Sequence, residues 1–192
     1  MILAGGASSR FGGRPKGLER VGGVRILDRL VAEFEVAFGS APLLVANDAG
    51  AGGWRTGLEV VADTAPGLGA LGGIWTAVRR GPAPVVVTAW DMPFVTAALL
   101  RALASGLADA DACLPTSAGP RGVEPLCAAY GPACEPAIAA AVARGDPRAI
   151  GFHRDVCVHI LPAPTIAALG DPARLFFNVN TPADLTLANE QA

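Results

Sequence analysis

Apolar positions along the chain fall into two alternating rhythms. Leu27, Leu30, Val31, Phe34 and Phe38 recur at helical spacing, with Asp28, Arg29, Glu33 and Glu35 on the other faces. This predicts an amphipathic helix that Gly39 ends. Met1 to Ala4 is a short apolar run stopped by Gly5-Gly6, a clipped strand opening into a loop that lasts to about Lys16. Pro42 to Ala46, before Asn47-Asp48-Ala49-Gly50, and Leu58 to Ala62, before Asp63, read as two further strands. Pro84 to Trp90 is β-branched and apolar on both alternating faces, as expected of a central parallel strand covered by helices on either side.

Helix-like segments at Leu71 to Arg80, Thr96 to Ala104 and Pro132 to Arg144 alternate with these runs, which argues for βαβ units and an α/β fold. Asp111 to Pro115, Val123 to Tyr130 and Val156 to Leu161 add strands. Thr181 to Asn189 forms a closing helix with Pro182 in its first turn. No internal repeat is visible. The 192 residues fit one domain, 1–192, by the usual relation of length to domain count. The run at Met1 is short for an interior strand, which raises the expectation of a start upstream.

Composition narrows the classes. Hydrophobic residues make up 52% and charged residues 17%, which excludes a disordered chain. The mean hydropathy of +0.42 suggests a membrane, but charged residues, glycine or proline break every apolar run before bilayer-spanning length. Without a secretory signal pattern at the N-terminus, a cytoplasmic location is expected. The net charge of −2 and the lack of a basic run with interleaved aromatics argue against nucleic acid. Cys113, Cys127, Cys134 and Cys157 show no C-x-x-C spacing and read as buried free thiols. His153 and His159 fit no nucleophilic or metal pattern and read as structural or surface residues.

Candidate chemistry collects at three glycine-rich or acidic junctions. The loop from Leu3 to Lys16 carries Arg10, Arg14 and Lys16 among its glycines; such loops let backbone N–H groups approach phosphate oxygens while cations neutralise charge. It is neither a P-loop, since Pro15 precedes Lys16, nor a G-x-G-x-x-G turn. Asp91 follows the most buried-looking strand, where ligands bind open α/β sheets, and its hard oxygens suit Mg²⁺. The Asp63 to Ile74 segment spends four glycines and a proline on tight turns or close backbone approach to a flat group. Asn178 and Asn180 alternate with apolar residues, which lets their amides bond a ligand or cap the helix that Thr181 begins. Glu124 either recognises an acceptor or pairs with Arg121.

Taken together, Leu3-Ala4-Gly5-Gly6-x-Ser-x-Arg10-x-Gly ending at Lys16, the Asp63 to Ile74 loop, Asp91-Met92-Pro93-Phe94, Glu124-Pro125-Leu126 and Phe177 to Pro182 resemble the molybdenum cofactor guanylyltransferase family. The resemblance spans nearly the whole chain. It implies a single-domain Rossmann-like nucleotidyltransferase fold with a mostly parallel central sheet flanked by helices. It further implies GTP as substrate, Mg²⁺ as cofactor, and GMP transfer to molybdopterin with release of pyrophosphate. Leu3, Ala4, Gly5, Gly6, Arg10, Lys16, Asn47, Asp63 and Asp91 then hold the nucleotide, Lys16 and Asp91 carry catalysis, and Asp91 binds the metal. For Asn47 the family can instead place an Asn two residues earlier, where this chain has Val45. Phe11 stands for the usual Met, Pro15 for an acidic residue, and Trp90 for a frequent Cys. Molybdoenzymes or their chaperones are the expected protein partners. The competing readings are a cytidylyl relative, a sugar- or polyol-phosphate nucleotidyltransferase, and a non-catalytic nucleotide-binding accessory module.

Overall fold

Seven short strands form one central sheet, and two more form a separate hairpin. In the computed structural model the described residues are 1–5, 14–81 and 83–192, so Gly6, Arg10 and Phe11 lie outside them. In chain order the elements are β1 (Ile2–Leu3), β2 (Arg20–Val21), β3 (Val24–Arg25), α1 (Ile26–Phe38), β4 (Leu44–Val45), β5 (Val60–Val61), α2 (Gly69–Arg80), β6 (Val85–Ala89) and α3 (Ala97–Ser105). There follow β7 (Ala112–Pro115), β8 (Cys127–Tyr130), α4 (Cys134–Ala143), β9 (Val158–Leu161), α5 (Ala163–Leu169), α6 (Pro172–Leu175) and α7 (Pro182–Glu190).

Seven strands order as β5-β4-β1-β6-β8-β7-β9, with β6 in the middle. Pairing is parallel except at β8, which runs against both neighbours. The expectation of a fully parallel setting for Pro84 to Trp90 is therefore corrected on one side: β6 is parallel to β1 and antiparallel to β8. The alternation of β6 nevertheless reads correctly over Val85 to Val87. Val86 enters the core layer with α1 and α3, and Val85 and Val87 the layer with α2 and α4, while Ala89 at the strand's end departs from the alternation and joins the first layer. Burial on both faces suits a β-branched run whose one polar position, Thr88, is itself fully buried.

α1 buries Ile26, Leu27, Leu30, Val31 and Phe34, each contributing roughly 1.5–3 kcal/mol of transfer free energy. It ends at Gly39, whose φ of 72° is the left-handed cap that favours glycine. The β2–β3 hairpin was not anticipated. Two-residue strands are too short to show a period, but Gly22-Gly23, at φ 57° and 79°, is a two-residue turn signal between Val21 and Val24. α5 and α6 also went unread, being only seven and four residues long.

All four cysteines are free thiols; Cys113, Cys127 and Cys134 are buried, but Cys157 is exposed, which corrects the expectation for it. Among the described residues no helix is long and apolar enough to cross a membrane. His159 is exposed, whereas His153 is partly buried, edge-on to Phe152 at 4.7 Å, with Nε2 unpartnered. Burial lowers the His153 imidazole from 6.5 to about 4, so the folded chain holds it neutral. Below pH 6.5 the unfolded chain takes up a proton that the folded chain refuses until about pH 4, and stability falls as pH drops across that window. Denaturant titrations at pH 7.5 and 4.5 are expected to show a smaller acid loss for His153→Leu than for the wild type; equal losses would contradict this assignment.

Candidate active site

The carboxyl ends of β1, β4 and β6 open onto a cleft of about 510 Å³. Leu3, Ala4 and Gly5 leave β1 along one wall, and Val45, Ala46 and Asn47 leave β4 beside them. Asp63, Gly67, Gly69, Ala70 and Gly73 close a second wall, and Lys16, Trp90, Asp91 and Leu126 complete the lining. Of the residues expected at a nucleotide site, seven (Leu3, Ala4, Gly5, Lys16, Asn47, Asp63 and Asp91) meet here; Gly6 and Arg10 fall outside the described residues.

The centre of the cleft is polar and constrained. The Lys16 ammonium pairs with Asp91 Oδ2 and donates to Asn180 Oδ1 at 3.1 Å. The Lys16 and Asp91 side chains are only 14% and 10% exposed. Asp91 Oδ1 is buried and accepts no hydrogen bond among the described residues, so among them one hard carboxylate oxygen remains available to a cation. Asp91 sits at the end of β6, where the strand stops and its own carbonyl accepts from Val179 N at 2.8 Å. That bond fixes the residue between Asn178 and Asn180, which directs the Asn180 amide to Lys16.

The two asparagines divide their roles. Asn178 turns its amide inward and donates to the Phe176 carbonyl at 2.9 Å. Thr181 is the cap of α7 as expected: its hydroxyl accepts from Asp184 N at 3.2 Å while Asp184 Oδ2 accepts from Thr181 N at 2.8 Å. The expectation that Asn180 caps is corrected, because its side chain goes to Lys16 and only its backbone N–H joins the cap. α7 also holds the far end of the Lys16 segment, since Asn189 accepts from Gly22 N at 3.0 Å and donates to the Arg20 carbonyl at 3.1 Å.

Asp63 is held by its neighbours. Its Oδ1 accepts from Thr76 Oγ1 at 2.7 Å and from Ala65 N at 3.0 Å, and its own N–H donates to Asn47 Oδ1 at 2.8 Å. Asn47 and Asp63 thus tie the ends of β4 and β5 together at the cleft. Gly72 is obligatory beneath them, since a Cβ there would lie 2.7 Å from the Ala65 carbonyl oxygen and 2.8 Å from Asp63 Oδ2. The expected pairing of Glu124 with Arg121 is not formed among the described residues, and Glu124 Oε1 accepts instead from Leu126 N at 3.2 Å. Burial raises its carboxyl above the ordinary range, the nearby Asp91 adds to this, and Arg121 acts in the opposite direction.

Two features escaped the sequence reading. Trp90 stacks on Trp54 at 5.0 Å and 23°, and Gly17 packs so closely on the Trp90 indole that no Cβ fits between them. Glycine directly after Lys16 and an aromatic directly before Asp91 were the available signals.

Residues 1–156 match the MobA-like NTP transferase domain. A probable molybdenum cofactor guanylyltransferase of Pelotomaculum thermopropionicum is 33% identical over 193 residues, covering 100% of this chain and 92% of that protein. One from Chloroflexus aggregans is 37% identical, covering 97% and 91%. The crystal structure of molybdopterin-guanine dinucleotide biosynthesis protein A from Archaeoglobus fulgidus superimposes with a TM-score of 0.81 at 27% identity, covering 99% of this chain and 96% of that one. The chain belongs to the MobA-like NTP transferase family and, within it, to the molybdenum cofactor guanylyltransferases.

Proposed function

We propose that the chain transfers GMP from GTP to the terminal phosphate of molybdopterin, releasing pyrophosphate and forming the guanine dinucleotide cofactor. The observation that carries the reading is the meeting of Lys16, Asp91 and Asn180, distant in sequence, at the polar centre of a glycine-walled cleft. The wall glycines admit a flat base and a ribose, and Leu3 to Gly5 with Asn47 and Asp63 border the same space.

A divalent cation fits the donor set. Among the described residues Asp91 Oδ1 is a buried carboxylate oxygen without a hydrogen-bond partner, and no group of three or more His, Cys, Asp or Glu residues forms a closed metal cage. This suits Mg²⁺, which is commonly held by one or two carboxylates together with substrate phosphates and water. When bound, the ion neutralises triphosphate charge as it develops toward pyrophosphate. The chain's own residues do the rest. An acceptor phosphate oxygen forms a bond to the α-phosphorus while the bond from that phosphorus to the bridging oxygen breaks, its electron pair leaving with pyrophosphate. Lys16 stabilises the charge on the leaving oxygens, and Asn180 and Asp91 hold the ammonium in place. No covalent intermediate with the protein is needed, so the rate rests on positioning and electrostatics. The cytoplasm is the expected compartment, with molybdoenzymes or their chaperones as recipients of the product.

Calorimetry with GTP, CTP, ATP and UTP, with and without Mg²⁺, tests the base and metal assignments. GTP binding that strengthens with Mg²⁺ is expected. Selective CTP binding would move the assignment to cytidylyl transfer.

A further inference from the structure

Lys16-Gly17 and Trp90-Asp91 lie side by side, and the two residues that carry charge are each flanked by one that packs on the other pair. We propose that Trp90 is a positioning residue, whose indole sets the backbone of Gly17 and thereby the reach of Lys16 to Asp91. The inference rests on the reading of Lys16 as the catalytic cation.

Glycine at 17 is demanded by space alone. It is absent from the glycines with positive φ, so its backbone suits any residue, yet a Cβ would overlap the six-membered ring of Trp90, 2.7 Å from Cδ2. The indole cannot retreat. Trp90 is 3% exposed and stacks on Trp54, whose carbonyl accepts from Arg25 Nη1 at 2.7 Å. Arg25 is itself paired with Asp28, whose Oδ1 also accepts from Arg55 at 2.7 Å. Burial works to raise the Asp28 carboxyl, but the hydrogen bonds and charges of Arg25 and Arg55 outweigh it and hold it below its ordinary value.

A rigid aromatic stack therefore backs the turn Lys16–Leu18. Lysine's four-carbon stem is flexible, so where its ammonium lands depends on the placement of its backbone. Displacement by about 1 Å in a catalytic group can cost on the order of 10²-fold in rate. If the ring were only core filling, changes at 17 and 90 would lower the thermal midpoint and leave the kcat of the folded enzyme unchanged.

A double-variant cycle separates these cases: wild type, Gly17→Ala, Trp90→Val and the two together, each read for GMP transfer, for MgGTP affinity by calorimetry and for thermal midpoint. Gly17→Ala is expected to lose on the order of tenfold or more in kcat, with the KM for GTP moving less than about threefold. Trp90→Val alone is expected to lose kcat too, since nothing then seats Gly17, and the double variant to be no worse than the poorer single variant, because the methyl group now has room. Losses that multiply, or a Gly17→Ala enzyme with wild-type kcat, would overturn the proposal. Should Gly17→Ala not fold, Trp90→Phe against Trp90→Val decides: Phe keeps a flat ring under Gly17 and is expected to retain kcat, and equal loss in both would overturn it. Lys16→Ala in the same assay guards the premise. If that variant turns over normally, the site reading fails and the inference with it; if it is inactive while the cycle shows no coupling, only the role of Trp90 fails.

Discussion

Asp91→Ala is expected to lose roughly 10²–10³-fold or more in metal-dependent turnover while keeping its fold. The carboxylate supplies a buried oxygen with no hydrogen-bond partner among the described residues, whereas Asp63 Oδ1 is engaged by Thr76 and Ala65. The fold survives because the backbone bond from Val179 to Asp91 needs no side chain and the freed ammonium keeps Asn180 as partner. Calorimetry of the variant with GTP is expected to show that added Mg²⁺ no longer strengthens binding, with a thermal midpoint close to the wild type. Normal turnover in Asp91→Ala would remove the residue from the mechanism.

Lys16→Ala is expected to produce a loss of similar size, and Lys16→Arg is not expected to restore it. The ammonium is a compact point charge set between Asp91 Oδ2 and Asn180 Oδ1, whereas a guanidinium is a planar fork that needs a wider seat. Because the two charges act as one unit, the Lys16→Ala/Asp91→Ala double variant is expected to be little worse than either single change. Steady-state kinetics of the three variants measure this coupling. Losses that multiply, or an active Lys16→Arg enzyme, would mean that the pair does not work as a unit.

What could be read from the residues, and what could not, follows from the range over which each signal acts. Pro84 to Trp90 declares itself as a central strand because it is apolar on both faces apart from Thr88, and the rule that ligands sit beyond strand ends then singles out Asp91. Thr181 declares the start of α7, since Asp184 three residues later completes a reciprocal cap. Lys16 stands out as a cation in a glycine-rich loop, but its singling out from Arg10 and Arg14, and the role of Asp63, rest on the resemblance. Asn180 was legible as a polar position but not as the partner of Lys16, 164 residues away, because no local pattern encodes that contact. The reversal of β8 escaped for the same reason: apolar residues look alike in parallel and antiparallel settings when both faces are buried. The seat of Gly17 on Trp90 depends on the packing of two loops, and only the paired oddity of a glycine and a tryptophan beside the two charges hinted at it.

The most direct test of the account follows the α-phosphate. GTP labelled at the α-phosphorus, incubated with molybdopterin, Mg²⁺ and the wild-type chain, should place the label in a guanine dinucleotide product with one pyrophosphate released per transfer. A label that stays in GTP, or that enters a product only when CTP replaces GTP, would contradict guanylyl transfer.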